Sequence, residues 1–240
     1  MHKITLSTFM ALLLISGGAK ASDKGANWSY GSLNGPYDWP GICQEGKNQS
    51  PIDISEAQET ALPPLTFKYG SKVSKKIHNG HAIQLEFEPG NKLRIGDQKA
   101  TLLQAHFHSP SEHTIDGKHF PLEAHFVHQA SDNSLIVVAV LYEVGAENRQ
   151  LAKIVRNLPK KQGAEAHQKS LRASQLLPGD LQYFQYNGSL TTPPCTEGVK
   201  WIVLKSRLST SNEQIKTFQH SLQIPTNRPV QPQNARTILK

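Results

Sequence analysis

The run SLIVVAVLYEVG, residues 134–145, limits the folds open to this chain more than any other segment. It is rich in valine and carries no polar alternation, as a strand buried on both faces does. Such a strand needs neighbours in its own sheet and apolar layers above and below. Suitable partners lie on either side in the sequence. HAIQLEFEP (81–89) alternates Ile83, Leu85 and Phe87 with Gln84, Glu86 and Glu88, then stops at Pro89-Gly90. KLRIG (92–96) follows closely enough to suggest a hairpin with it. KATLLQAHFH (99–108), PLEAHFVHQ (121–129) and VKWIVLKS (199–206) read as further strands. Helices are expected over residues 147–157, stopped by Pro159, and over about 212–222, where Thr210 and Glu213 offer a capping box. The 17 Gly and 15 Pro scattered along the 240 residues suit many turns and few long helices. The expectation is one mainly β domain with a large twisted sheet, small peripheral helices and no linker.

Residues 1–21 read as a secretory signal. His2 and Lys3 give a positive start, Ile4 to Ile15 an apolar stretch too short to span a bilayer, and Ala19-Lys20-Ala21 a small-x-small cleavage pattern. The domain is then expected over 22–240, in a periplasm or outside a cell, with no membrane span once the signal is removed. The formal charge of +7 falls to +5 without Lys3 and Lys20, since 24 basic residues then face 19 acidic ones. The cations are dispersed and form no stripe interleaved with aromatics, so nucleic acid is not an expected partner. The two cysteines, Cys43 and Cys195, suit a disulfide in an oxidising compartment. The loop it closes would stabilise the fold by about 4–5 kcal/mol in the chain-entropy account.

Eight of the 11 histidines lie between His78 and His128. His106 and His108 are two apart on an expected strand and share a face, while His125 lies on the next one. Asp116-Gly117 between them is a reversal signal, so the two strands can pair antiparallel and bring three imidazoles together. Three histidine nitrogens with an open fourth position is the arrangement of a catalytic zinc. Gln104 and Glu123 each stand two residues before a histidine, where a metal-bound imidazole needs an acceptor for its other N–H. Spacing alone leaves open the plainer possibility of histidines that are merely packed or exposed.

Longer motifs narrow this. WSYG (28–31), NQSPIDI (48–54), NGHA (79–82), QAHFH with SEH (104–113), EAHFVH (123–128), GSLTTPPCTEGVKWIVL (188–204) and NRPVQP (227–232) together resemble the α-class carbonic anhydrases, in order along the whole mature chain. The resemblance implies a single domain around a large, mostly antiparallel twisted sheet, and zinc-dependent hydration of carbon dioxide to bicarbonate by zinc-bound hydroxide. His106, His108 and His125 are the implied zinc ligands, and Gln104 and Glu123 their partners. The backbone carbonyl of Thr226 is a candidate partner for the third. Thr191 and Glu112 are implied to orient the hydroxide, with Thr192 at the substrate mouth. His81 is the implied proton shuttle, a role His78 could share. Val127, Val140, Leu190 and Trp201 are the implied apolar wall for carbon dioxide, and Tyr30, Asn79 and Gln84 the implied polar lining that orders water.

The chain departs from the common pattern at Ala105, where a large aromatic is frequent, and at Ser109-Pro110, so altered packing is expected behind the ligands. His113 and His128 read as buried structural residues, and His119, His167 and His220 as surface residues. A homodimer is a possible assembly. The rival readings are a non-catalytic carbonic-anhydrase-like binding module, which would be expected to lack a ligand, and a cupin-type metalloprotein, which leaves SLTTPP unexplained.

Overall fold

The structure is a computed structural model that describes residues 28–167, 170–222 and 225–240; the signal-like segment 1–21 lies outside these. The first elements are α1 (Ile42–Glu45), β1 (Asp53–Ile54), β2 (Leu65–Lys68), β3 (Val73–His78), β4 (Ile83–Phe87), β5 (Lys92–Ile95) and β6 (Gln98–His108). β7 (Thr114–Ile115), β8 (Lys118–His119), β9 (Leu122–Ala130), β10 (Leu135–Val144), α2 (Arg149–Val155) and β11 (Glu165–His167) follow. The chain ends with β12 (Tyr183–Ser189), β13 (Glu197–Leu204), β14 (Leu208–Thr210) and α3 (Asn212–Leu222). Among the described residues no helix is long and apolar enough to cross a membrane.

The large sheet runs β11-β3-β4-β6-β9-β10-β13-β12, with β2 added through β5 and β14 through β10. It is mixed: β10 pairs parallel with both β13 and β14, while the remaining pairs in this sheet are antiparallel. The valine-rich run is β10 and sits centrally, as its two-sided burial requires. The expected hairpin between 83–87 and 92–95 does not form. Both strands instead lie end to end along one edge of β6, β4 against residues 104–107 and β5 against 98–101.

Each central strand divides its side chains between two cores. Ala124 and Phe126 of β9 and Val138, Val140 and Tyr142 of β10 join one core, closed by Leu151 and Ile154 of α2 and Phe218 of α3. Val127, Val137, Ala139, Val199 and Trp201 join the other, with Ile52 and Ile54. Ala105 is fully buried in the first core, across from Leu85 and Phe126. α2 is two residues shorter at each end than expected. Asn148 caps it, its side-chain oxygen accepting from the N–H groups of Gln150 and Leu151. The box that opens α3 is Ser211 with Gln214 rather than Thr210 with Glu213. The Gln214 N–H donates to Ser211 Oγ and the Ser211 N–H to Gln214 Oε1, while Thr210 is still in a strand.

β6 shifts register against β9 between Leu102 and Gln104. Before this bulge the even positions Ala100 and Leu102 enter the first core; after it the odd positions Ala105 and Phe107 do. Gln104, His106 and His108 are therefore turned to the other face. Cys43 and Cys195 are bonded, tying the α1 turn to the segment that follows β12.

Candidate metal centre

His106 and His125 are directly opposed across β6 and β9, and His108 opposes Glu123. The three imidazole centroids lie 4.9, 5.2 and 4.6 Å apart. One nitrogen of each is bound to a fixed acceptor: His106 Nδ1 to Gln104 Oε1 at 2.9 Å, His108 Nδ1 to the Thr226 carbonyl at 2.5 Å, and His125 Nε2 to Glu123 Oε1 at 2.7 Å. Each ring thus keeps an unprotonated nitrogen for the shared space: Nε2 of His106, Nε2 of His108 and Nδ1 of His125. One ligand atom from each ring can lie within 4.8 Å of the others. His108 Nε2 is buried with no hydrogen-bond partner. An orphaned, uncharged nitrogen beside two others is what a cation of borderline softness satisfies. Burial, above all, holds all three rings below the ordinary histidine range, with further lowering from neighbouring histidines. His108 and His125 are buried, and His106 is the more open of the three.

Glu123 lies wholly inside the protein. Its Oε2 accepts the Glu112 and His113 backbone N–H groups at 2.7 and 2.9 Å, and its Oε1 accepts from His113 Nδ1 and His125 Nε2, both at 2.7 Å. Burial alone would raise this carboxyl; the charges and hydrogen bonds of His113 and His125 outweigh it and hold the group well below the usual range. Tyr186 Oη then bridges His113 Nε2 and Ser50 Oγ.

Glu112 stands on the other side. Its Oε1 accepts the Arg228 backbone N–H at 2.8 Å, and its Oε2 is buried without a partner, 3.5 Å from His108 Nε2 and 3.9 Å from His125 Nδ1. Burial pushes its pKa up to about 7, against the lowering effects of His125, the Arg228 N–H and the Thr191 side chain. Arg228 was not anticipated from the sequence. Its guanidinium is buried and donates to Gln49 Oε1, the Ser50 carbonyl and the Cys43 carbonyl. It thereby joins the carboxylate's support to the disulfide. Gln49 also donates to the Cys195 carbonyl at 3.1 Å.

Val127, Leu190 and Trp201 share the apolar cluster next to the histidines. Val140 does not. β9 and β10 pair Val127 with Val137, His125 with Ala139 and Ala124 with Val140, so Val140 points into the opposite core. Val137 and Val199 occupy the site face instead. The alternation of β10 pointed to two faces, but assigning either to the site needed the register with His125. Thr191 is buried and Thr192 partly exposed at the rim.

His81 stacks on Trp28 with ring centroids 3.6 Å apart and planes 13° from parallel. Burial, then His78, lowers its pKa. His78 beside it differs in its bonding. Its Nδ1 accepts the Gly80 N–H at 3.1 Å and its Nε2 contacts the Ser221 carbonyl at 3.0 Å, so both nitrogens are committed. Asn79 Oδ1 accepts the N–H groups of His81 and Ala82, and its Nδ2 donates to Gln84 Oε1 at 3.3 Å. Asn79 thus closes the turn that carries His81. The Tyr30 hydroxyl is buried without a partner, and burial and the nearby Glu112 raise its pKa well above normal.

Known proteins agree with this architecture. The family described as eukaryotic-type carbonic anhydrase matches residues 34–240. A carbonic anhydrase of Pectobacterium carotovorum is 40% identical over 235 residues, covering 95% of this chain and 96% of that one. One of Neisseria gonorrhoeae is 39% identical over 246 residues, covering 98% of each. The solved α-carbonic anhydrase of Thermovibrio ammonificans, in complex with the inhibitor sulfanilamide, superposes with a TM-score of 0.87 at 41% identity, covering 90% of this chain and all of that one. The chain belongs to the eukaryotic-type, or α, carbonic anhydrase family. It is a lyase-class enzyme that interconverts carbon dioxide and bicarbonate.

Proposed function

We propose that His106, His108 and His125 hold one zinc ion, and that the residues around them carry the hydration of carbon dioxide. The observation that carries this reading is the convergence of three neutral nitrogens, each ring locked through its other nitrogen. Neutral donors leave the charge of a bound divalent ion largely uncompensated, and a zinc ion so held supplies a Lewis acid that brings the pKa of a water molecule down to about 7. The residues do the rest. Gln104, Glu123 and the Thr226 carbonyl fix the tautomers and orientations of the three rings. Glu112, ionised, accepts a hydrogen bond from the Thr191 hydroxyl. Thr191 can then only accept from the attacking hydroxyl group, which turns a lone pair towards the substrate carbon. A cation among the histidines favours the ionised form of Glu112.

Carbon dioxide is apolar and is held against Val127, Val137, Leu190, Val199 and Trp201, with Thr192 at the entrance. His81 accepts the released proton and passes it to buffer, since an imidazole near pH 7 exchanges protons in both directions. Tyr30 and Gln84 line the route with polar groups, while Asn79 acts chiefly by shaping the turn. A non-catalytic module would have no use for a complete donor set backed by three oriented acceptors. Export to a periplasm or the medium is proposed from the signal-like residues 1–21 and from the disulfide.

The test is stopped-flow hydration before and after treatment with a zinc chelator. The proposal expects loss of activity on chelation and recovery with one equivalent of zinc. Full activity in the metal-free protein, or full activity of His106→Ala, would remove the zinc assignment.

A further inference from the structure

The far end of β6 builds a second polar feature. β2, β5 and the start of β6 lie side by side, and their register sets Lys68 opposite Lys92 and Arg94 opposite Lys99. All four are exposed and line a groove of about 640 Å³ with Pro64 and Thr66. Like charges directly opposed on one sheet face destabilise the strand pair, and this groove contains two such pairs on adjoining strands. Some surface cations are matched, Lys75 with Glu86 and Glu165, Arg207 with Glu143, and Lys240 with Glu59, whereas others such as Lys118, Lys160, Lys161 and Lys216 have no ion pair among the described residues. The groove differs in setting its cations in opposed pairs. In the groove, Asp97 reaches Arg94 at 3.4 Å, but Lys68, Lys92 and Lys99 have no ion pair among the described residues. The hydration chemistry does not use these residues, since Lys99 precedes His106 by seven positions, roughly 20 Å along the strand.

The shape of the groove selects among polyanions. Its cations surround a pocket rather than stand on a flat face, which a planar bilayer matches poorly. No aromatic ring lines it, so it lacks the stacking platforms on which single-stranded nucleic acids are bound. Neighbouring cations are spaced about 5 Å across the strands and 7 Å along them, and they span three strands. We infer that this groove binds an acidic polysaccharide, whose sulfate or carboxylate groups bridge the opposed cations while its sugar rings lie over Pro64 and Thr66. A bridging anion turns each repulsive pair into two attractive contacts.

The probe is fluorescent dextran sulfate, with neutral dextran as the control, titrated into the intact enzyme. Dextran sulfate alone should bind, weakening by roughly tenfold or more between about 50 and 200 mM salt as counterion release is suppressed. Replacing Lys68, Lys92, Arg94 and Lys99 with Gln should reduce binding about tenfold or more while leaving carbon dioxide hydration unchanged, which also verifies the fold. The double variant Lys68→Gln with Lys99→Gln, one cation from each pair, should fall between. Removing the same charge elsewhere, at Lys118, Lys160, Lys161 and Lys216, should leave most of the binding. Failure of the wild type to bind, or equal losses in the two fourfold variants, would overturn the inference. Stronger binding to vesicles of phosphatidylcholine and phosphatidylglycerol than to dextran sulfate would reassign the groove to a lipid surface.

Discussion

The two faces of β9 differ in what they do with the same backbone. Leu122, Ala124 and Phe126 point into the core beneath α2 and α3 and contribute packing alone. Glu123, His125 and Val127 point the other way and contribute a carboxylate, a ring nitrogen and a patch of apolar wall. One face gains stability mainly by burying apolar side chains, His128 and Tyr142 being polar exceptions within its core. The other gathers buried polar atoms and satisfies nearly all of them. Two of the exceptions, His108 Nε2 and Glu112 Oε2, lie 3.5 Å apart beside the His125 ring. Unpaired buried polar atoms are costly, so their concentration at one point marks a function. The difference teaches that activity and stability here are separable by residue parity along one strand.

Substitutions should expose that separation. On the site face, His106→Ala should lower kcat/KM by more than about 10³-fold, as loss of a metal ligand does, with a small change in melting temperature. A large stability loss with most activity kept would reverse the assignment of the two faces. On the core face, Phe126→Ala should cost about 3–5 kcal/mol in denaturant unfolding, yet its folded fraction should turn over normally below the transition.

His128 continues the core-facing set two residues past Phe126, fully buried, with Nδ1 on the Ile136 carbonyl at 3.2 Å and Nε2 against the Tyr69 hydroxyl. Burial lowers its pKa from 6.5 to about 4. The unfolded chain therefore binds the extra proton first as pH falls. Its contribution is complete above pH 6.5 and fades down to about pH 4, an effect on the order of 3 kcal/mol. The wild type should lose melting temperature across that window more steeply than His128→Gln; parallel curves would show that the ring does not stay neutral.

Smaller effects sharpen the picture of the site. Glu123→Gln keeps the shape but weakens the acceptor for His125, and should lower zinc affinity about 10–100-fold by chelator competition. His81→Ala should leave turnover in concentrated buffer nearly intact and reduce it about tenfold in dilute buffer, with recovery on adding imidazole. Equal rates in both buffers would take the shuttle role away from His81.

Much of this was legible in the sequence because it follows from period two. The spacing of His106 and His108, and of Glu123 and His125, puts each pair on one face whatever the partner strand. Asp116 and Gly117 both adopt positive φ, 50° and 73°, in the two-residue turn that joins β7 to β8 within the connection from β6 to β9. What failed depended on non-local register. Nothing near Leu102 announces the bulge that carries the core from even to odd positions. Val140 was placed on the wrong face because only its pairing with Ala124 reveals its direction. The expected hairpin failed because β4 and β5 both find β6 a better neighbour than each other. Arg228 was hidden because its link to Glu112 is a backbone N–H, which no side-chain pattern encodes.

X-ray absorption at the zinc edge, on protein purified without added metal and reconstituted with one equivalent, tests the central claim most directly. Three nitrogen scatterers at about 2.0–2.1 Å, with the imidazole outer-shell signature and one further light atom, are the result this account predicts. A spectrum dominated by sulfur, or by oxygen alone, would contradict it.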